Sequence, residues 1–172
     1  NKIDSSQVFD NALRWLPSAM FSYKFSRTDN LRFSYNGYTT QPTINQIQPV
    51  RDNSDPLYQV KGNPDLEQSY SQNFNLSYHM WKALSEVSVW SYAGFSNVFN
   101  QIVRNNLIDT SGRNISTFIN ADGSYNGYLG ANFNKRLSKL ISFRLGLSGS
   151  LNRSVSFVNY EESKVLSASL RP

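Results

Sequence analysis

The sequence has no cysteine and a single histidine, and it nowhere approaches the roughly 20 consecutive apolar residues that a membrane helix needs. Without cysteine there is neither a disulfide framework nor a thiolate metal site. His79 lies on the polar face at a strand end and is read as a pore or rim residue. With one histidine and no nucleophile elbow, the histidine-based catalytic constellations have nothing to be built from. The expectation is therefore a chain that is not an enzyme and holds no cofactor and no metal. The acids Asp52 and Asp55 lack the spacing of a calcium loop and are read, like Glu161-Glu162, as ordinary loop acids. A basic stripe is missing too. The 17 Lys and Arg residues give a net charge of +5, yet Lys135-Arg136 is the one adjacent pair, so no nucleic-acid partner is expected. Residues 1–15 have no basic start and no apolar core segment, so they are not expected to be a signal peptide. With no initiating Met and a strand-like carboxyl end, the sequence is expected to be a fragment of a longer protein.

What is present is alternation. Aromatic residues make up 14% of the chain, with ten Tyr and eleven Phe, a composition suited to strands and interfacial belts. Phe21, Tyr23 and Phe25 alternate with Ser22, Lys24 and Ser26, and after a turn at Thr28-Asp29-Asn30, Leu31, Phe33 and Tyr35 alternate with Arg32, Ser34 and Asn36. Phe74, Leu76, Tyr78 and Met80 alternate with Asn75, Ser77 and His79. The alternation is cleanest from Ile141, where Phe143, Leu145, Leu147 and Leu151 oppose Ser142, Arg144, Ser148, Ser150 and Asn152. A period of two gives each strand one apolar and one polar face. Arg144 marks the wet face, because a basic residue facing lipid costs about 2–4 kcal/mol at the midplane. A hydrophobic share of 39% and a mean hydropathy of −0.48 exclude a helical membrane protein but not a barrel, in which alternate residues alone meet lipid.

About seven strands are predicted. Trp81 to Leu84, Leu137 to Lys139 and the stretch before Leu31 are short turns, and Trp81 is read as an interfacial girdle residue. Between Val87 and Tyr92 the phase is mixed, with Val87 and Val89 on one face and Trp90 and Tyr92 on the other, from both faces being covered or from a bulge. The region Asn105 to Asn114, with Asp109-Thr110-Ser111-Gly112, forms a hairpin tip, Asp122-Gly123 a bulge in one long strand from Ile115 to Phe133, and residues 153–163 an outer connection. Residues 41–68 form a long outer loop, since four of the six prolines, Pro42, Pro49, Pro56 and Pro64, fall there. Connections in compact domains have a median of about four to six residues, whereas outer-membrane barrels pair long loops on one rim with short turns on the other.

In this stretch Gln41-Pro42, Asp55-Pro56-Leu57 and Gly62-Asn63-Pro64-Asp65-Leu66, followed by an aromatic strand, resemble the outer-membrane β-barrel proteins of Bacteroidetes type, which include the barrels of TonB-dependent receptors. The fold expected is all-β, an antiparallel up-and-down meander forming a segment of a transmembrane barrel, with residues 1–172 as one partial domain. The resemblance implies nutrient uptake across the outer membrane of a Gram-negative bacterium. It implies as partners the outer-membrane lipids, a small nutrient and the TonB energy-coupling system, the last through a plug domain not found in this chain. Seven strands are odd and few beside the eight of the smallest barrels or the 22 of large transporters. Arg51, Tyr58 and Gln59 are the candidate ligand contacts of the outer loop, while its Pro, Asn and Gly residues shape an ordered fold-back onto the rim. Two other readings stay open: a plugless barrel serving as a pore or structural protein, and a soluble β-sandwich glycan-binding module.

Overall fold

The computed structural model describes residues 16–49, 51–52 (backbone), 58–108, 110 and 112–172. The elements in chain order are β1 (Ser18–Lys24), β2 (Asp29–Thr40), α1 (Ile44–Ile47), β3 (Arg51–Asp52), β4 (Tyr58–Lys61), β5 (Ser69–Lys82), β6 (Val87–Phe99), β7 (Gln101–Ile108), β8 (Asn114–Ala121), β9 (Ser124–Arg136), β10 (Ser142–Val158) and β11 (Glu161–Arg171). The wall is one antiparallel meander, β1-β2-β5-β6-β9-β10-β11, in which each strand pairs with the next along the chain of wall strands. Its seven strands agree with the number of alternating segments.

Three tight turns, 25–28, 83–86 and 137–141, occupy one rim. Each is closed locally. The Ser26 hydroxyl accepts from the backbone of Thr28 and Asp29, the Glu86 N–H donates to the Ala83 carbonyl, and the Ser138 hydroxyl accepts from the backbone of Leu140 and Ile141. At the opposite rim lie the excursion between β2 and β5 and the β7–β8 hairpin.

The β6–β9 pairing shows how the mixed phase resolves. Val87 to Val98 pair with Lys135 to Ser124 without a bulge, so Trp90 and Tyr92 do face away from Val87 and Val89. The strand expected from Ile115 to Phe133 divides at Asp122-Gly123 into β8 and β9. Val98 opposes Ser124 and Gln101 opposes Ala121, so the pairing frame is kept while the hairpin bends. Asn100 (φ 52°) and Gly123 (φ 97°) form the bend, and the Asn100 N–H donates to the Asp122 carboxylate at 2.7 Å. Beyond it β7 lies parallel to the tip of β10, through Phe157 and Val158.

Residues 153–163 are not a loop. β10 continues to Val158, Asn159 and Tyr160 turn with φ of 51° and 65°, and β11 starts at Glu161. Two successive positive φ values make the tight hairpin turn whose twist matches the flanking strands. The sequence conceals it, because tyrosine seldom adopts that conformation. The Tyr160 N–H is held by the Asn105 side chain at 3.2 Å, and the Asn159 side chain accepts from the N–H of Ile108 at 2.8 Å.

Among the described residues, the buried apolar side chains are Leu66, Val103, Phe118 and Val155, all at the long-loop rim. Among the described residues all strands belong to one sheet and no second sheet covers the wall's apolar face, whereas a sandwich buries that face against another sheet.

Candidate functional site

Cross-strand register sorts the wall's side chains into two faces. On one face four rows run across β5, β6, β9 and β10: Met80-Val89-Phe133-Leu145, Tyr78-Ser91-Ala131-Leu147, Leu76-Ala93-Leu129-Gly149 and Phe74-Phe95-Gly127-Leu151. None carries a charge. The row below is Lys82-Val87-Lys135-Phe143 and the row above is Gln72-Asn97-Tyr125-Arg153. From Gln72 to Lys82 is ten residues. At roughly 3.3 Å per residue and a tilt of about 40°, these two flanking rows lie about 25 Å apart, and the uncharged rows between them rise about 15 Å of that, within the roughly 25 Å apolar band of outer-membrane barrels. Rings mark both margins. Tyr35, Phe74, Phe95 and Tyr125 form a chain with centroids 4.8, 6.5 and 6.0 Å apart toward the long-loop rim, and Tyr23, Phe25 and Tyr78 cluster toward the short-turn rim at 4.8 and 6.4 Å.

The other face is wet. It carries Asn30, Arg32, Ser34 and Asn36 on β2, with Asn73, Asn75, Ser77 and His79 on β5. Asn126, Asn132 and Asn134 follow on β9, and Arg144, Ser148 and Ser150 on β10. Arg144 donates to Asn134 at 2.8 Å, and Asn134 lies 3.3 Å from the Ser88 hydroxyl. With His79, Trp90 and Asn132 these residues line a shallow hollow. His79 is thus a wet-face residue, as the alternation predicts. Trp81 shares that face, because β5 continues through Lys82 before turning; it lines hollows with Lys24 and Asn30 on one side and Asn134 and Arg144 on the other. The girdle reading of Trp81 is corrected accordingly.

Three aromatic rings run up this face. Trp90 and Tyr92 have centroids 5.7 Å apart, Tyr92 and Tyr128 6.1 Å, and the Tyr128 hydroxyl donates to Asn75 at 2.8 Å. Glycine makes their posture possible. Tyr92 opposes Gly130 and Gly94 opposes Tyr128, and a Cβ at either glycine would collide with the facing ring. Both rings therefore lie flat against the wall. The signal is in the sequence as a Tyr-x-Gly pattern on both partner strands, Tyr92-Ala93-Gly94 and Tyr128-Leu129-Gly130, which is recognised only once the pairing is known.

At the long-loop rim the excursion folds back onto the barrel wall. Thr43 and Gln46 cap α1 reciprocally, the Asn63 N–H donates to the Gln46 carbonyl at 2.7 Å, and Gly62 lies so close to the Gln48 backbone that no Cβ would fit. The Asn63 amide donates to the Phe118 carbonyl and Asn120 bonds both the N–H and the carbonyl of Glu67, each at 2.9 Å. β4 pairs in parallel with β8 and antiparallel with β3. Tyr58 and Gln59, opposite Asn114 and Ile115, are successive strand residues and so point to opposite faces of β4. Arg51 pairs through its backbone with Lys61, and its side chain lies outside the described residues. The three candidate loop contacts thus share a small rim sheet, in which Tyr58 and Gln59 do not converge.

The model of the outer membrane protein beta-barrel family matches residues 1–169. Among solved structures, the siderophore receptor PirA from Pseudomonas aeruginosa is similar in fold, with a TM-score of 0.57 and 16% sequence identity. The match covers 91% of this chain and 35% of that one, so the chain spans about a third of the receptor's length. The comparison with curated proteins returned no match.

Proposed function

From the premise that the chain belongs to the outer membrane protein beta-barrel family and is a wall segment of an outer-membrane barrel, we infer that the parent protein works in TonB-dependent uptake of a small nutrient. The observation that carries this reading is the pairing of four uncharged rows, set between polar or charged rows about 25 Å apart, on one face with a polar, aromatic-bearing wall on the other. The fold likeness to a siderophore receptor supports it. In this reading the short-turn rim faces the periplasm, the long-loop rim faces outward, and the wet wall borders a solute path. A plug domain occupies the lumen and the energy-coupling protein pulls on it. The protein's role is passage of a solute and not catalysis.

Liposome swelling with arabinose as the probe solute tests this reading without knowledge of the nutrient. Full-length protein reconstituted in liposomes is expected to give no swelling, because a plugged receptor opens only when energised. Rapid swelling would support a plugless passive barrel instead.

A further inference from the structure

The short-turn rim departs from what water-facing turns require. Its turns are closed by their own polar groups, yet their tips are apolar: Leu84 and Leu140 are almost wholly exposed, at 105% and 97%, and Phe25, Leu137 and Ile141 at about 60%. A rim cluster of exposed large apolar side chains calls for a covering partner. The rim is also predominantly basic. Arg27 and Lys139 lie in the turns and Lys82, Lys135 and Arg136 immediately beside them, against Glu86 within the turns, 3.6 Å from Arg136, and Asp29 beside them. Lys82 and Lys135 belong to the row directly below the lipid-facing band, so their ammonium groups lie where that band meets headgroups.

We propose that this rim is a binding surface for anionic phospholipid of the inner leaflet, with Leu84 and Leu140 inserted among the headgroups and Lys82, Lys135 and Lys139 on their phosphates. The inference rests on the membrane reading above. Two arguments select lipid as the occupant. The surface is continuous with the band that already faces lipid, and its positive charge is complementary to phosphate; exposed apolar residues beside basic ones bind membrane surfaces through both terms. The turns thereby anchor the barrel's depth, in place of standing free in the periplasm.

The test uses full-length protein carrying single cysteines labelled with a fluorophore at Leu84→Cys, Leu140→Cys or Leu129→Cys, in vesicles of phosphatidylcholine with or without phosphatidylglycerol. Labels at 84 and 140 are expected to be shielded from iodide and quenched by lipids carrying a nitroxide at headgroup depth. Phosphatidylglycerol should strengthen that quenching, and each lysine removed in K82Q, K135Q and K139Q should weaken the preference about fivefold. Free access of iodide to 84 and 140, with 129 still quenched by an acyl-chain nitroxide, overturns the inference and leaves the barrel intact; these tips would then be bare or meet a periplasmic protein. Shielding that is indifferent to phosphatidylglycerol and to the lysines overturns the anionic specificity. Loss of acyl-chain quenching at 129 overturns the membrane reading itself.

Discussion

A single charge separates the two faces of the wall. Leu129 lies in one of the two inner rows of the band, half exposed, while Ser34 sits at similar height on the wet face. Leu129→Arg is expected to lower stability by about 2–4 kcal/mol in urea unfolding from vesicles, and Ser34→Arg by much less, since only the first places a guanidinium in hydrocarbon. The rings make a second prediction. Gly94→Val drives a side chain into the Tyr128 ring and is expected to cost about 1–3 kcal/mol by overpacking, whereas Gly94→Val with Tyr128→Ala recovers part of the loss. A double-mutant cycle of unfolding midpoints measures that coupling. Face assignment at this scale was legible from alternation alone: Arg144 and His79 fall on the wet face, and Leu145, Leu147 and Leu151 on the apolar one. Trp81 was misplaced because it was assigned to the turn; β5 runs on through Lys82, and the alternation continued two residues from His79 puts Trp81 on the wet face.

At the scale of elements, the loop's order depends on asparagine. Asn120 makes three hydrogen bonds, two to Glu67 and one to the Asn100 carbonyl at 2.8 Å, and so acts as a bridge between the excursion and the bent hairpin. Asn120→Ala is expected to expose the segment before β5 to protease, through a local loss of about 1–3 kcal/mol, with little change in the barrel's unfolding midpoint. The β10–β11 turn predicts the opposite sign. Tyr160 is two-thirds exposed and held at positive φ, so Tyr160→Gly is expected to slow hydrogen exchange at the turn end of that hairpin by relieving about 1 kcal/mol of strain. This turn and the bend at Asn100 and Gly123 explain where the sequence reading stopped. Short strands and tight turns follow from local periodicity; the alternation Ser154-Val155-Ser156-Phe157 does continue β10, but no glycine marks the tight turn at Asn159-Tyr160 that ends it. The parallel contacts of β4 with β8 and β7 with β10 join residues 52 or more positions apart, and no local pattern announces such pairs.

For the whole molecule, the wall is a sheet whose apolar face meets no second sheet among the described residues, whose buried apolar side chains collect at one rim and whose apolar band carries ring clusters at both margins. That arrangement is unstable in water and stable in a bilayer, which supplies the missing partner. The membrane reading was open to the sequence because its two signals, a period of two and rims of unequal loop length, are both local. The flat rings and the converging hollows on the wet wall were closed to it, since they depend on which strands are neighbours. One face of this wall thus meets lipid and the other meets water. The most direct test is a nitroxide scan from Phe143 to Asn152 along β10 in vesicles, measuring relaxation by oxygen and by a water-soluble nickel complex. Oxygen access is predicted to peak at 143, 145, 147 and 151 and nickel access at 144, 148, 150 and 152. A profile without that period of two, or low access to both reagents on the apolar face, would contradict it.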